Sequence, residues 1–174
     1  VGSIDEGLFH EIRPDEKILI KDITVDPSSI WHDAADPVCY SLYGDGKKVS
    51  IATDMGNYND YIVDKLDNSD IMVVEANHDV RMLEAGPYPY YLKRRILGNY
   101  GHLSNELSGQ LIYRLLNDHV KGILLGHLSK ENNMPELAYE TVRLEIDMGD
   151  CPYHADDFHL AVAKRDEMSE IISL

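Results

Sequence analysis

Short apolar runs that each stop on one side chain able to bind a cation are the feature that most constrains this chain. Ser50-Ile51-Ala52-Thr53 runs into Asp54-Met55-Gly56, and Lys121-Gly122-Ile123-Leu124-Leu125-Gly126 runs into His127. A third run, Ile71-Met72-Val73-Val74, ends at Glu75, and an extended segment upstream ends at His32. Apolar runs this short, closed by glycine or a polar residue, fit buried strands better than helices. Each such strand carries its last residue to the carboxyl edge of a sheet, which is where ligands collect in layered α/β folds. One aspartate and two histidines arriving on separate elements are suitable donors for a hard-to-borderline divalent cation.

The rest of the chain supplies elements to surround such a sheet. Lys17 to Val25 predicts a strand, broken by Asp26-Pro27-Ser28-Ser29. Val38 to Leu42 and Lys48 to Thr53 flank Tyr43-Gly44-Asp45-Gly46-Lys47, whose Asp-Gly pair predicts a hairpin. Asn59 to Leu66 has helical spacing, with Tyr58, Tyr61, Ile62 and Leu66 able to share one face. Ala76-Asn77-His78-Asp79 begins a brief helix capped near Asn77 or His78, and Tyr91 to Leu97 begins another. Ser104 caps a helix whose apolar face is Leu107, Leu111, Ile112 and Leu115. Pro135 opens a further helix that ends at Gly149, and His159 to Ala163 returns to a strand. The stretch from Val1 to Pro14 is a polar lead-in without a period, and no linker divides the chain, so residues 1–174 are expected to form one domain.

Composition narrows the function. With 174 residues of which 44% are hydrophobic, the chain can bury a sizeable core. No run approaches the roughly 20 apolar residues needed to span a bilayer, and the first residues do not form a signal peptide. A cytoplasmic protein with no membrane contact is therefore expected. Two cysteines, Cys39 and Cys151, are too few for a disulfide framework, which fits a reducing compartment. A net charge of −15 argues against indiscriminate nucleic-acid binding, although bound cations could supply positive charge locally.

Two further patterns bear on chemistry. Lys93-Arg94-Arg95 is the one dense basic cluster, interleaved with Tyr88, Tyr90 and Tyr91. Both a surface for phosphates and stacked bases and an ordinary solvated helix face fit it. Gly101-His102-Leu103-Ser104-Asn105-Glu106 is nearly repeated as Gly126-His127-Leu128-Ser129-Lys130-Glu131. The flanks share nothing more, so this is one local solution used twice. On residue type alone, a structural role beside Trp31 is the favoured reading of His32, and a hydrogen bonder at a helix start is the structural reading of His102.

Six blocks carry a resemblance. His32-Asp33-Ala34-Ala35-Asp36-Pro37-Val38, Ala52-Thr53-Asp54-Met55-Gly56, Glu75-Ala76-Asn77-His78-Asp79-Val80, Lys93-Arg94-Arg95-Ile96-Leu97, Gly101-His102-Leu103-Ser104-Asn105-Glu106 and Gly126-His127-Leu128-Ser129 stand in the order seen in metallo-β-lactamase-fold hydrolases. The sequence most resembles the YycJ/WalJ-type subfamily. The resemblance implies an α/β fold, the second half of an αββα sandwich, with a mixed sheet flanked by helices. It implies His32 and His127 as metal ligands and Asp54 as the carboxylate bridging two divalent ions, zinc or manganese, with Asp54 also catalytic through the water held between them. Glu75 and His102 resemble the catalytic pair that related nucleases place beside the scissile phosphate. His78, Arg94, Arg95 and Ser104 are the candidate substrate-binding residues.

The departure from the family is as specific as the match. Members carry a His-x-His-x-Asp-His block in their first half, and this sequence has no His-x-His. The resemblance is therefore to the second half of such a protein, and the expectation is an incomplete metal site and a sheet face that meets its missing half or a second copy. Three functions remain: a metal-dependent phosphodiesterase or nuclease acting on DNA, a hydrolase of a small ester or thioester on the same fold, and a noncatalytic binding fragment.

Overall fold

A computed structural model describes residues 5, 7 and 9–174, so the polar lead-in falls partly outside the described residues. Among the described residues, seven strands form one sheet in sequential order. β1 (Ile18–Ile20), β2 (Ile23–Ser29), β3 (Val38–Gly44) and β4 (Lys47–Ala52) make an antiparallel meander. From β4 onward the sheet is parallel, through β5 (Ile71–Glu75), β6 (Gly122–Gly126) and β7 (His159–Val162). The meander turns into β4 at Asp45 and Gly46, whose φ of 48° and 73° are the left-handed pair a tight hairpin needs.

The parallel half requires crossovers, and helices supply them. α1 (Asp60–Leu66) joins β4 to β5. α2 (Val80–Ala85), α3 (Tyr90–Ile96) and α4 (Asn105–Leu115) join β5 to β6, and α5 (Pro135–Asp147) joins β6 to β7. Because the strand order never reverses, right-handed crossovers all fall on one face. There Met72, Val74, Ile123 and Leu125 meet Ile62, Leu66, Leu111, Ile112, Leu115, Val142 and Ile146 in the core. Among the described residues, no helix is long and apolar enough to cross a membrane.

The opposite face is also apolar. Val25, Leu42, Val49 and Ile71 form one row across it, and Tyr40, Ile51, Val73, Leu124 and Ala161 the next. None of α1, α4 or α5 covers it, and Ile51 is 37% exposed. The C-terminal residues occupy part of it. A Cβ at Gly122 would lie 2.6 Å from Ile172, and Leu174 shares a cleft with Leu42 and Val49.

Two local expectations are corrected. The single strand predicted over Lys17 to Val25 is a pair, β1 and β2, turning at Lys21 with φ 56°, and β2 runs on through Asp26 to Ser29. Pro27 is tolerated because β2 outlasts β1 there. Its carbonyl accepts from Asp15 N at 2.8 Å on that outer side, so the missing donor falls outside the β2–β3 ladder. The cap of α2 is Asp79, accepting from Met82 N at 2.7 Å, not Asn77 or His78. Those two remain extended because Asn77 N donates to Leu103 O and Asn105 N donates to His78 O.

Candidate metal centre

The carboxyl ends of β4, β5 and β6 lie side by side, and each delivers one functional group. Asp54 and His127 follow their strands in left-handed conformations, with φ of 57° and 55°. Backbone of this kind in non-glycine residues is uncommon, and it turns both side chains out of the strand direction at the same edge. Glu75, the last residue of β5, pairs with Gly126 in the ladder and is fully buried. His102 comes from the loop before α4, and His32 from the loop after β2. The loop after β4 packs against the His102 loop because Gly56 has no side chain: a Cβ there would collide with the Gly101 backbone. Gly56 N then donates to Trp31 O at 2.8 Å, and His32 Nδ1 donates to Gly101 O at 2.9 Å.

Glu75 organises the centre. Its Oε1 accepts from His102 Nδ1 at 2.8 Å and from His127 Nδ1 at 2.6 Å. Its Oε2 accepts from Met55 N at 2.8 Å and Leu103 N at 3.3 Å. Burial pushes the carboxyl pKa up, but the hydrogen bonds from His102 and His127 outweigh it and hold the group below its ordinary range. Glu75 is therefore ionised, and both imidazoles must present N–H to it. The same bond raises the His127 pKa against the opposing effect of burial.

This explains the near-repeat in the sequence. The two Gly-His-Leu-Ser copies are the two arms of one carboxylate, with the His102 and His127 rings 5.2 Å apart. The extended residues after β5 are held between them. Asn77 N bonds Leu103 O, Ser129 N bonds Asn77 O, and Asn77 Nδ2 bonds His127 O at 2.9 Å.

Asp54 faces all three histidines. Its Oδ1 lies 3.7 Å from His32 Nε2, 3.9 Å from His102 Nδ1 and 3.6 Å from His127 Nδ1. The side chain is 46% exposed, and among the described residues its carboxylate accepts no hydrogen bond. One ligand-type atom from each of Asp54, Glu75, His102 and His127 lies within 4.8 Å of the others. The donor set fits a divalent cation. With Nδ1–H of each histidine committed to an acceptor, the neutral ring keeps its lone pair on Nε2, the arrangement common in metal-binding histidines; His32 already turns Nε2 to Asp54, whereas on His102 and His127 the nitrogen nearest Asp54 is the Nδ1 that Glu75 holds. Glu75 is the exception, since four donors already occupy its two oxygens and a cation would have to displace them. Its geometry is that of a positioning group.

His32, Asp54, Glu75, His102 and His127 are thus brought together. The other four candidates are placed differently. His78 is buried behind the centre with both ring nitrogens unpartnered, and burial pushes its pKa down to about 4. Ser104 is buried beside it, and its hydroxyl caps α4 by accepting from Leu107 N at 3.3 Å. Arg95 grips Asp33 with Nε and with Nη2, the latter 2.8 Å from Oδ1, and that guanidinium holds the Asp33 carboxyl below its usual range. Arg94 lies over the Tyr90 ring at 6.0 Å, and Lys93 Nζ donates to Glu84 O. The basic cluster is therefore partly engaged within the chain.

Sequence reasoning missed two contributors. Asp33 fixes Arg95 next to His32, and its only signal was adjacency. Asn133 is buried and ties the loops together, donating to Ala76 O at 2.9 Å and pairing with Asn105 through their amides. Nothing in the loop-like Asn132-Asn133-Met134-Pro135 marked it.

No protein-family model matches the chain. Over 150 residues, 86% of this chain, it is 37% identical to the exodeoxyribonuclease WalJ of Streptococcus pneumoniae strain D39. It is also 37% identical over 145 residues, 79% of this chain, to the exodeoxyribonuclease YycJ of Bacillus anthracis. Those matches take in 56% and 55% of the two proteins, so the chain spans about half the length of the curated relatives it matches. Among solved structures, the metallo-β-lactamase fold protein YhfI of Bacillus subtilis superposes with a TM-score of 0.58 at 15% identity. That superposition covers 88% of this chain and 52% of the other, a likeness that shows the fold.

Proposed function

We propose, for a chain that is homologous to part of the WalJ and YycJ exodeoxyribonucleases and has the metallo-β-lactamase fold over the part it spans, that it carries half of a metal-dependent phosphodiesterase site acting on DNA. The observation that carries this reading is Glu75, a buried carboxylate that fixes His102 and His127 in one tautomer beside Asp54.

His32, Asp54 and His127 would hold the divalent cations, Asp54 through its carboxylate and the histidines through a ring nitrogen. Such cations, zinc or manganese, supply Lewis acidity and shield the charge of a phosphate. The chain's own residues do the rest. Gly101 O and Glu75 hold the rings of His32 and His127 so that Nε2 is the binding atom. Glu75 also fixes His102, leaving Nε2 as the atom at which that ring exchanges a proton with a phosphoryl or leaving oxygen. Arg94 and the exposed rings of Tyr90 and Tyr91 offer an outer contact to the strand, while Arg95 and Asp33 brace His32. His78 and Ser104 act from the interior, supporting the loops that carry the site.

We further read residues 1–174 as one domain, the C-terminal part of the fold, a reading supported by the single continuous sheet. The part of its apolar face that the C-terminal residues leave open is proposed to meet the remainder of an αββα sandwich or a second copy, and the location is proposed to be cytoplasmic. The test is calorimetric titration of the chain with manganese and zinc, alongside degradation assays on single- and double-stranded DNA. Binding that is lost in Asp54→Ala and His127→Ala supports the reading. Binding that survives both substitutions would sink it.

A further inference from the structure

Beside His127, between the carboxyl ends of β6 and β7, lies a cavity of about 480 Å³. Its volume falls within the roughly 300–1,000 Å³ of small-ligand pockets. Leu128, Pro135 and Val162 contribute apolar surface to its lining, and the exposed Lys130, Lys164 and Arg165 line it as well. No carboxylate lines it, in a chain with 31 acidic and 16 basic residues. Three cations lining one cavity therefore reverse locally the sign that the chain carries overall.

These cations have capacity to spare. Lys130 forms no ion pair among the described residues. Lys164 meets only the exposed Glu167, at 3.1 Å, a solvent-screened pair worth little. Arg165 donates Nη2 to Leu128 O, a single bond that ties the guanidinium to the cavity lining, and among the described residues its other donors have no partner. Pro135 begins α5 and lines the cavity, and no side chain caps that helix. His127 forms one wall, so whatever fills the cavity lies next to the proposed metal ligands.

We propose that this cavity is a nucleotide subsite, holding the sugar and base of the terminal nucleotide of a DNA strand on Leu128, Pro135 and Val162, with its flanking phosphate on Lys130, Lys164 and Arg165. The assignment rests on the phosphodiesterase reading and deepens it. Apolar lining suits a base, which offers an apolar face whatever its sequence, and the three cations suit its phosphate. The cavity places that nucleotide directly beside His127, so the adjoining phosphodiester falls at the metal centre. None of the three cations belongs to that centre.

The test is binding of a fluorescein-labelled five-nucleotide single strand by anisotropy, in EDTA, across a salt series. Three proteins are compared: the unmodified chain, Lys130→Ala/Lys164→Ala, and Val162→Trp, which fills the cavity. The double variant is expected to bind about tenfold more weakly, with its log-affinity versus log-salt slope reduced by about 1.4. Val162→Trp is expected to weaken binding with the slope unchanged, because it removes space rather than charge. Manganese titrations should be the same for all three proteins. The proposal is overturned if the unmodified chain does not bind, if both variants bind normally, or if the lysines matter and Val162→Trp does not, which would be a diffuse electrostatic surface. A chain that binds the strand as described but takes up no manganese would keep the subsite and remove the hydrolase reading instead.

Discussion

Replacing Glu75 by glutamine tests the organisation of the centre with a change of one atom and one charge. The carboxylate is fully buried and accepts from four donors, Met55 N, Leu103 N, His102 Nδ1 and His127 Nδ1. An amide can accept at one end only, and its NH2 must face either the two backbone N–H groups or the two imidazole N–H groups. Two hydrogen bonds to a charged acceptor are lost, each worth about 1.5–3 kcal/mol. Relief from burying a charge offsets part of this, which leaves a net destabilisation of about 3 kcal/mol, in line with breaking a buried ionic arrangement. Because the rings then lose their fixed tautomer, divalent metal affinity should also fall by about 10–100-fold. Urea unfolding at neutral pH and calorimetric manganese titration measure the two effects. A Glu75→Gln chain as stable as the parent, within about 0.5 kcal/mol, and with unchanged metal affinity would refute the reasoning.

The His78 pKa of about 4 lies below its unfolded value, so between pH 6.5 and 4 the unfolded chain binds more protons and stability falls as pH is lowered, by up to about 3 kcal/mol from this group. Urea midpoints over that range should show a shallower loss in His78→Gln than in the parent, and equal slopes would contradict the assignment. His127 works in the opposite sense. Its raised pKa contributes stability that is present below the unfolded value and lost as pH rises through the folded one, a component that His127→Ala should remove from the same curves. In the core, Ile123→Ala should cost about 2–5 kcal/mol in unfolding free energy, because Ile123 is fully buried at the centre of the parallel half, and a cost below about 1 kcal/mol would argue against that packing. On the uncovered face, Ile51→Lys should shift the sedimentation profile toward monomer if copies associate there, whereas concentration-dependent association that persists unchanged would place the contact elsewhere.

The sequence made the strand ends legible because β4, β5 and β6 are short, buried on their helix side and punctuated by glycine or a polar residue. Asp54, Glu75 and His127 could be placed at one edge for that reason. Asp26 to Ser29 misled because a proline normally ends a strand. Whether it does depends on which side its nitrogen faces, and that is set by the short reach of β1. The near-repeat was visible, but its meaning was not, since only the fold shows both histidines converging on Glu75. The pairing of Arg95 with Asp33 spans 62 positions and leaves no periodic trace. Lys130, Lys164 and Arg165 sit in two separate loops of an acidic chain, so their convergence on one cavity depends on β6 and β7 being neighbours. Local pattern thus located the elements that present the site, while long-range hydrogen bonds and charge clusters needed the topology.

The most direct test of the central claim is anomalous diffraction at the manganese edge from crystals of this chain soaked in manganese. A peak coordinated by the Asp54 carboxylate and by Nε2 of His127 or His32 is expected, with Glu75 still bonded to the two Nδ1 atoms and outside the coordination sphere. A peak ligated by Glu75, or no peak at the ends of β4 and β6 while the protein binds manganese elsewhere, would contradict it.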